Sequence, residues 1–184
     1  MGIERLFGRD PALRREIERS RDLLARMAYA WTHDRDLADD LAQSALEKAL
    51  RNAGQLRDAA RVKAWLLQIL ANCLRDHVRA RREHVDLDSV ADFVASDGAT
   101  PEEAQASAQL ARRVREAVAR LPLGQRQVVT LVDLEESSYA EAGEILEIPI
   151  GTVMSRLCRA RRALREELEA MAQDAPGTRL RSVK

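Results

Sequence analysis

Residues 138–165 constrain the fold of this chain more than any other stretch, because they encode two short helices and the turn between them. Ser138 and Glu141 have the spacing of a capping box, in which a hydroxyl and a carboxylate bind free backbone N–H groups at a helix start. That helix must end by Ile148, since a residue that precedes proline is disfavoured in the helical conformation. A second helix opens at Gly151. The stretch therefore predicts a helix-turn-helix.

The second helix of this motif has an apolar face and a basic face. Apolar residues recur at steps of three and four, and arginines occupy the other side. The two sets are Val153, Leu157, Ala160, Leu164 and Leu168, and Arg156, Arg159, Arg162 and Arg165. Acids crowd the stretch from Asp133 to Glu147, whereas none occurs between Ile148 and Arg165. Segregated charge of this kind fits a helix that lies against DNA phosphates; an amphipathic helix with a solvated basic face has the same spacing.

Composition sets wider limits. A chain of 184 residues is long enough for one or two domains, and 5 prolines with 8 glycines suit a mostly helical fold. The formal net charge is zero, so the placement of charge decides what the surface can bind. No apolar run reaches the length of a membrane span and no signal-peptide core is present, which predicts a cytoplasmic protein. Cys73 and Cys158 lack metal-ligand spacing and are predicted to be unpaired thiols.

Three helices are predicted in the first half of the chain, and their short connections make them neighbours in one bundle. Their spans are Pro11 to Trp31 with Asp10 as the cap, Asp36 to about Asn52, and Val62 to Glu83. The composition then changes, because residues 83–103 hold seven acids and no lysine or arginine. This acidic stretch predicts a linker.

The sequence therefore predicts an all-α fold of two small helical domains joined by an acidic linker. The predicted parts are an N-terminal three-helix-type bundle at 10–83, a linker at 84–100 and a C-terminal helix-turn-helix domain at 101–172. The second domain opens with a capping box from Thr100 to Glu103. Pro122 ends its first helix, and a further helix from Gly124 to Leu134 precedes the helix-turn-helix.

The helix-turn-helix resembles the fourth region of bacterial sigma factors, and most closely that of the extracytoplasmic-function (ECF) group of the sigma-70 family. The matching residues are Ser138, Tyr139, Glu141, Leu146, Ile148, Pro149, Gly151, Thr152, Val153, Ser155, Arg156, Arg159, Ala160 and Arg161. Glu147 replaces the turn glycine of the family, which is expected to strain the turn or to bring a carboxylate near phosphate. Met154 replaces a lysine or arginine and removes one expected DNA contact.

A second stretch, at residues 36–49, resembles the second-region motif of the same family. The family uses this helix face to dock on the clamp helices of the largest subunit of core RNA polymerase. Asp40 and Gln43 match the motif, and Asp39 stands where glutamate is usual. The polar face taken alone is also typical of a solvated surface.

A third stretch, at residues 62–82, resembles the segment that opens and reads the minus-ten promoter element. The resemblance implies DNA contacts from Lys63, Trp65, Asn72 and Arg75. Arg57 and Asp58 lie in the loop where the family captures an unpaired base. Trp65 is also compatible with a core position, because it lies on a helical apolar stripe.

The resemblance implies a sigma factor that binds core RNA polymerase and promoter DNA and is controlled by an anti-sigma factor. The residues expected to read the minus-thirty-five element are Thr152, Met154, Ser155, Arg156 and Arg159, with Thr152 at a helix start that favours phosphate. No enzymatic activity, metal or cofactor is expected, since the histidines lack catalytic or ligand spacing. Two alternatives are a helix-turn-helix regulator that acts without polymerase and a sigma-like decoy for an anti-sigma protein.

Overall fold

A computed structural model describes residues 11–56, 58–84 and 104–173 of the chain. Every regular element in these ranges is helical, which confirms the predicted all-α fold. The helices are α1 (Pro11–Arg19), α2 (Arg21–Thr32), α3 (Arg35–Asn52), α4 (Val62–His84), α5 (Ala104–Ala119), α6 (Leu123–Val129), α7 (Tyr139–Leu146) and α8 (Ile150–Gln173). Asp10, Arg57, the linker beyond His84 and the capping box predicted from Thr100 to Glu103 lie outside the described residues.

The first predicted helix is in fact two, so the prediction of one continuous helix is wrong. Ser20 separates α1 from α2, with φ −78° and ψ 1°. Its hydroxyl donates to the carbonyl of Glu16 at 2.9 Å, and its backbone N–H is shared between the carbonyls of Glu16 and Ile17. A serine bonded back to the preceding turn bends a helix. Ile17 and Leu24, on either side of the bend, are both fully buried.

The N-terminal bundle, α1 to α4, buries one apolar core. The core includes Leu24 and Trp31 of α2 and Leu66 and Leu70 of α4, and none of these side chains is more than 1% exposed. Each buried leucine stabilises the fold by about 1.5–3 kcal/mol relative to an exposed one. Helix α3 supplies small side chains to this core, namely Ala38, Ala42, Ala45 and Ala49. These alanines let α3 approach its neighbours closely.

The C-terminal domain, α5 to α8, differs from the prediction between α6 and α7. The helix predicted from Gly124 to Leu134 is the α-helix α6 followed by a π-helical turn, Thr130–Leu134. Leu131 of this turn and Val153 of α8 are fully buried in the domain core. A π-helical turn inserts one extra residue, so the side chains after it are rotated relative to those before it.

The helix-turn-helix has the predicted boundaries to within two residues. The Ser138 hydroxyl accepts from the N–H of Glu141 at 3.2 Å, and the Glu141 carboxylate accepts from the N–H of Ser138 at 2.8 Å. These two bonds confirm the capping box. Helix α7 ends at Leu146, and the residue after it, Glu147, is left-handed with a φ of 55° and a ψ of 46°. Helix α8 begins at Ile150, one residue before the predicted start.

The two parts pack against each other along two contacts, one between α2 and the group of α5, α6 and the π-helical turn, and one between α4 and α7. In the first contact the indole N–H of Trp31 donates to the hydroxyl of Thr130 at 2.8 Å, and both side chains are buried. Within the described ranges no helix has the length and apolarity needed to cross a bilayer. Both cysteines are free thiols, with Cys73 buried and Cys158 exposed.

Candidate nucleic-acid interface

The first three turns of α8 carry the residues predicted to read duplex DNA. Met154 and Arg159 are exposed, whereas Thr152, Ser155 and Arg156 are half-buried. The hydroxyl of Ser155 donates to the carbonyl of Thr152 at 3.1 Å, which leaves its oxygen lone pairs available as acceptors.

Amide groups at the start of α8 are partly used within the turn. The N–H groups of Thr152 and Val153 donate to the carbonyl of Pro149 at 2.8 and 3.2 Å. The amides that lack an intrahelical acceptor are therefore those of Ile150 and Gly151, ahead of the predicted Thr152. Ile150 is as exposed as Met154, at 53%, and lies one turn before it. Sequence reasoning missed Ile150, although its spacing of four from Met154 places both on one helix face.

The arginines of α8 divide into two kinds. Arg156 and Arg159 have no carboxylate partner among the described residues, and Arg156 lies against Gly124, where a Cβ atom would come within 2.8 Å of its guanidinium. Arg161 instead donates two hydrogen bonds to the carboxylate of Asp133 in the π-helical turn, at 2.5 and 3.1 Å. These bonds to Asp133 raise the pKa of Arg161 above its usual range. Arg161, which matches the family pattern, thus anchors α8 to its own domain.

Four of the candidate minus-ten residues lie on the side of α4 that faces the C-terminal domain, namely Lys63, Trp65, Asn72 and Arg75. Trp65 is half-buried and lines a cleft of about 990 Å³ between α4 and α7, so it belongs neither fully to the core nor fully to the surface. Asp58 is exposed, and its carboxylate accepts from the N–H of Ala60 at 2.9 Å, which caps a short 3-10 turn. Asp58 therefore has a structural use besides any contact with DNA.

The carboxylate of Glu147, the residue that follows α7, binds several residues of α4 at once. Arg75 Nη1 lies 2.7 Å from Glu147 Oε2, and the side-chain amides of Gln68 and Asn72 donate to Glu147 Oε1 at 3.3 and 3.5 Å. Arg75 also donates to the carbonyl of Leu146 at 3.0 Å. The hydrogen bond from Arg75 is the main cause of a lowered pKa of Glu147. Sequence reasoning did not single out Gln68.

Two further ion pairs join the same two surfaces. Lys63 Nζ lies 2.9 Å from Glu135 Oε2 and also donates to the backbone carbonyl of Glu135. Arg61 pairs with Glu144 of α7. The acids that precede α8 in the sequence thus neutralise bases of the N-terminal bundle.

The α2–α6 contact contains a buried polar cluster that sequence reasoning missed. Arg126 donates to the carbonyls of Trp31 and Leu121 at 2.7 and 2.9 Å. Its own backbone carbonyl accepts from the hydroxyl of Thr130 at 2.9 Å. His33 lies beside this cluster, and burial, followed by the positive charge of Arg126, lowers the pKa of His33 to about 4. Arg126 lies in the stretch that resembles the family, but no pattern of charge or spacing indicated its partners.

The residues predicted to contact polymerase form an exposed face of α3. Asp39, Asp40 and Gln43 all point away from the core, and Gln43 donates to the carboxylate of Glu47 at 3.2 Å. Helix α3 packs on α1, α2 and α4, so this face stays open while the C-terminal domain is docked.

Comparison with known proteins gives matches in both halves of the chain. The family model for sigma-70 region 2 matches residues 17–84, and the model for sigma-70 region 4 matches residues 111–164. The ECF RNA polymerase sigma factor SigW of Bacillus subtilis is 31% identical over 157 residues, which cover 80% of this chain and 84% of SigW. SigM of Mycobacterium tuberculosis is 34% identical over 146 residues, which cover 77% of this chain and 69% of SigM.

Two solved structures have a similar fold. One is the sigma factor RpoE in complex with the anti-sigma factor NepR from Bartonella quintana, with a TM-score of 0.65 and 30% identity. That likeness covers 84% of this chain and 95% of RpoE. The other is CnrH in complex with the cytosolic domain of CnrY, with a TM-score of 0.59, 27% identity, and coverage of 86% of this chain and 88% of CnrH.

Proposed function

The chain belongs to the ECF group of the sigma-70 family, and from this we propose that it binds core RNA polymerase and directs it to specific promoters. One observation supports this role most directly. The open end of α8 presents Arg156 and Arg159 without carboxylate partners in the described chain, while the acidic face of α3 stays exposed elsewhere. We assign the polymerase-binding domain to residues 10–83 and the helix-turn-helix domain to 101–172.

The start of α8 reads the minus-thirty-five duplex in this proposal. Arginine guanidinium groups bind guanine edges in the major groove or adjacent phosphates, which suits Arg156 and Arg159. Thr152 and Ser155 add hydroxyl groups at the same end. Met154 replaces a basic residue of the family with an exposed apolar side chain, and apolar side chains contact the methyl group of thymine. We therefore expect the promoter position that lies opposite Met154 to accept thymine.

The α4 face receives the melted minus-ten strand. Lys63 and Arg75 supply positive charge to its phosphates, Asn72 supplies a polar contact, and Trp65 supplies a ring on which a base can stack. Stacking of one base on an aromatic ring contributes about 1–3 kcal/mol. We propose that Asp58, and with it Arg57 from the sequence motif, contacts an unpaired base in front of α4.

The polymerase docks on the exposed face of α3. Asp39 and Asp40 carry negative charge there, and Gln43 adds an amide that forms hydrogen bonds. We propose that these three residues contact the clamp helices of the largest polymerase subunit. Charged groups on an exposed face steer association and fix its orientation.

We also propose that an anti-sigma factor controls this protein, because both similar solved structures are complexes with anti-sigma partners or their domains. The protein acts in the cytoplasm, where bacterial RNA polymerase works. Its role is binding and recognition, and we assign it no catalytic residue and no cofactor.

Transcription with purified core polymerase tests the proposal. Arg156→Ala with Arg159→Ala is expected to lower run-off transcription about 10-fold or more while the affinity for polymerase stays unchanged, since one base contact contributes about 1–3 kcal/mol. Arg162→Ala with Arg165→Ala, farther along α8, removes the same charge and serves as the control. An equal loss in both pairs would show that total charge matters and that the proposed reading end is wrong.

The opposite pattern is expected for the α3 face. Asp40→Ala with Gln43→Ala is expected to weaken polymerase binding while the fold, followed by circular dichroism, is retained. Unchanged affinity for polymerase would reject the proposed docking face. A gel shift with and without core polymerase then separates a sigma factor, which needs polymerase for tight promoter binding, from a regulator that binds alone.

A further inference from the structure

We propose that the free protein inhibits itself, because acids of the C-terminal domain occupy the α4 residues that the minus-ten strand requires. Glu147 is the principal acid of this contact, which we call the acid latch and define by the pairs Glu147–Arg75, Glu135–Lys63 and Glu144–Arg61. The inference rests on the proposed role of α4 in strand binding. When the latch is closed, the C-terminal domain covers this face of α4. When the latch opens, the face becomes available to DNA.

The geometry at Glu147 imitates a phosphate group. Three donors of α4 converge on its two carboxylate oxygens: the guanidinium of Arg75 and the side-chain amides of Gln68 and Asn72. Arginine forms charge-assisted hydrogen bonds with carboxylate and phosphate oxygens in the same way. A strand phosphate and the Glu147 carboxylate therefore compete for the same donors.

The backbone at this position supports a dedicated role for the side chain. Glu147 adopts the left-handed conformation, which is unfavourable for a residue with a Cβ atom and free of that cost for glycine. The family usually has glycine here. This chain instead retains a strained glutamate whose carboxylate reaches α4, 72 residues away in sequence.

Glu136 offers a matched control. It is also a left-handed glutamate, with a φ of 56°, lies in the loop at the other end of α7 and is exposed. No hydrogen bond or ion pair joins its side chain to a described residue of the N-terminal bundle. Replacement of either glutamate by glycine relieves the same backbone strain and removes the same charge, but only Glu147→Gly removes a latch contact.

Binding of a single strand by the free protein tests the latch. The probe is a fluorescein-labelled nontemplate-strand oligonucleotide from a promoter that the protein uses in run-off transcription, titrated by fluorescence anisotropy. The apparent affinity for the strand equals the intrinsic affinity of the open form multiplied by the fraction of protein that is open. A variant that raises a small open fraction therefore raises the apparent affinity in proportion. Glu147 and Arg75 are both about half exposed, and an exposed ion pair of this kind shifts an equilibrium by about two- to five-fold.

We therefore expect Glu147→Gly to bind the strand about two- to five-fold more tightly than the wild type, and Glu136→Gly to bind like the wild type. Equal affinities for all three proteins would overturn the latch, as would an equal gain in both variants. If the wild type directs run-off transcription while Glu147→Gly gains nothing, the latch fails and the proposed function stands. If the wild type directs none, the proposed function fails.

A distance measurement tests the opening itself. Spin labels at native Cys158 on α8 and at Ser44→Cys on α3 lie on exposed positions of the two parts, while buried Cys73 stays unlabelled. Saturation with the single strand is expected to move the labels apart, as seen by double electron–electron resonance. An unchanged distance at saturation would show that the strand binds without opening and would refute self-inhibition.

Discussion

Mild acid is expected to destabilise this protein through a single buried histidine. His33 follows α2 with a left-handed φ of 53°, its backbone N–H donates to the carbonyl of Tyr29 at 2.8 Å, and its side chain is only 8% exposed. Nε2 of its ring has no hydrogen-bond partner among the described residues. Burial first and the charge of Arg126 second lower the pKa of His33 from 6.5 to about 4.

The sign and size of the effect follow from proton linkage. Between pH 6.5 and about 4 the unfolded chain binds a proton at His33 and the folded chain does not, so stability falls as the pH falls through this range. Each pH unit in the range costs about 1.4 kcal/mol, which amounts to about 2 kcal/mol at pH 5 and about 3 kcal/mol once the pH is below 4. A loss of 2 kcal/mol is a large part of a typical stability of about 5–15 kcal/mol.

Urea unfolding at about pH 7 and about pH 5 measures this loss. The control variant is His33→Asn, because asparagine tolerates the left-handed conformation and does not titrate. Its stability is expected to stay level between the two pH values. The carboxylates of Glu141 and Glu147 have pKa values below their ordinary 4.5, so their contributions are lost only at lower pH. An equal loss in wild type and His33→Asn would refute the assignment to His33.

Three substitutions in the helix-turn-helix have predictable effects on thermal and urea unfolding. Gly143→Ala places a Cβ atom 3.0 Å from the backbone carbonyl oxygen of Ile148 and is expected to destabilise the protein by about 1–3 kcal/mol. Gly151→Ala meets nothing within 4 Å and is expected to be neutral or stabilising by up to about 1 kcal/mol; a loss at Gly151 as large as at Gly143 would contradict the steric explanation. Ser138→Ala removes the hydroxyl that accepts from Glu141 and is expected to cost about 1 kcal/mol, and an unchanged midpoint would show that the cap contributes nothing.

Local features of the fold were predictable because they depend on neighbours in sequence. The capping box at Ser138 and the turn before α8 lie where side-chain chemistry and the proline at position 149 require them. The bend at Ser20 was missed, since apolar residues keep their helical spacing across it and only the direction of one hydroxyl reveals it. The π-helical turn after α6 was missed for the same reason, because Val128, Val129 and Leu131 are equally compatible with an uninterrupted helix.

Contacts between residues far apart in the chain could not be predicted from the sequence. Glu147 was expected to strain its turn or to approach phosphate; its left-handed φ agrees with the first expectation, whereas its carboxylate meets Arg75. Nothing in the spacing of α4 indicates that its bases face acids of α7. The hydrogen bond from Trp31 to Thr130 joins residues 99 positions apart, and no periodicity encodes it.

The π-helical turn Thr130–Leu134 fixes the rotation, about the helix axis, between two side chains that anchor it to different parts of the protein. Thr130, at its beginning, is bonded to Trp31 of the N-terminal bundle, and Asp133, near its end, holds Arg161 of α8. Deletion of one residue between them would restore a regular helix and swing the second anchor by about 100° relative to the first. The extra residue of the π-helical turn therefore sets the orientation of α8, the proposed DNA-reading helix, relative to the α3 face proposed to bind polymerase.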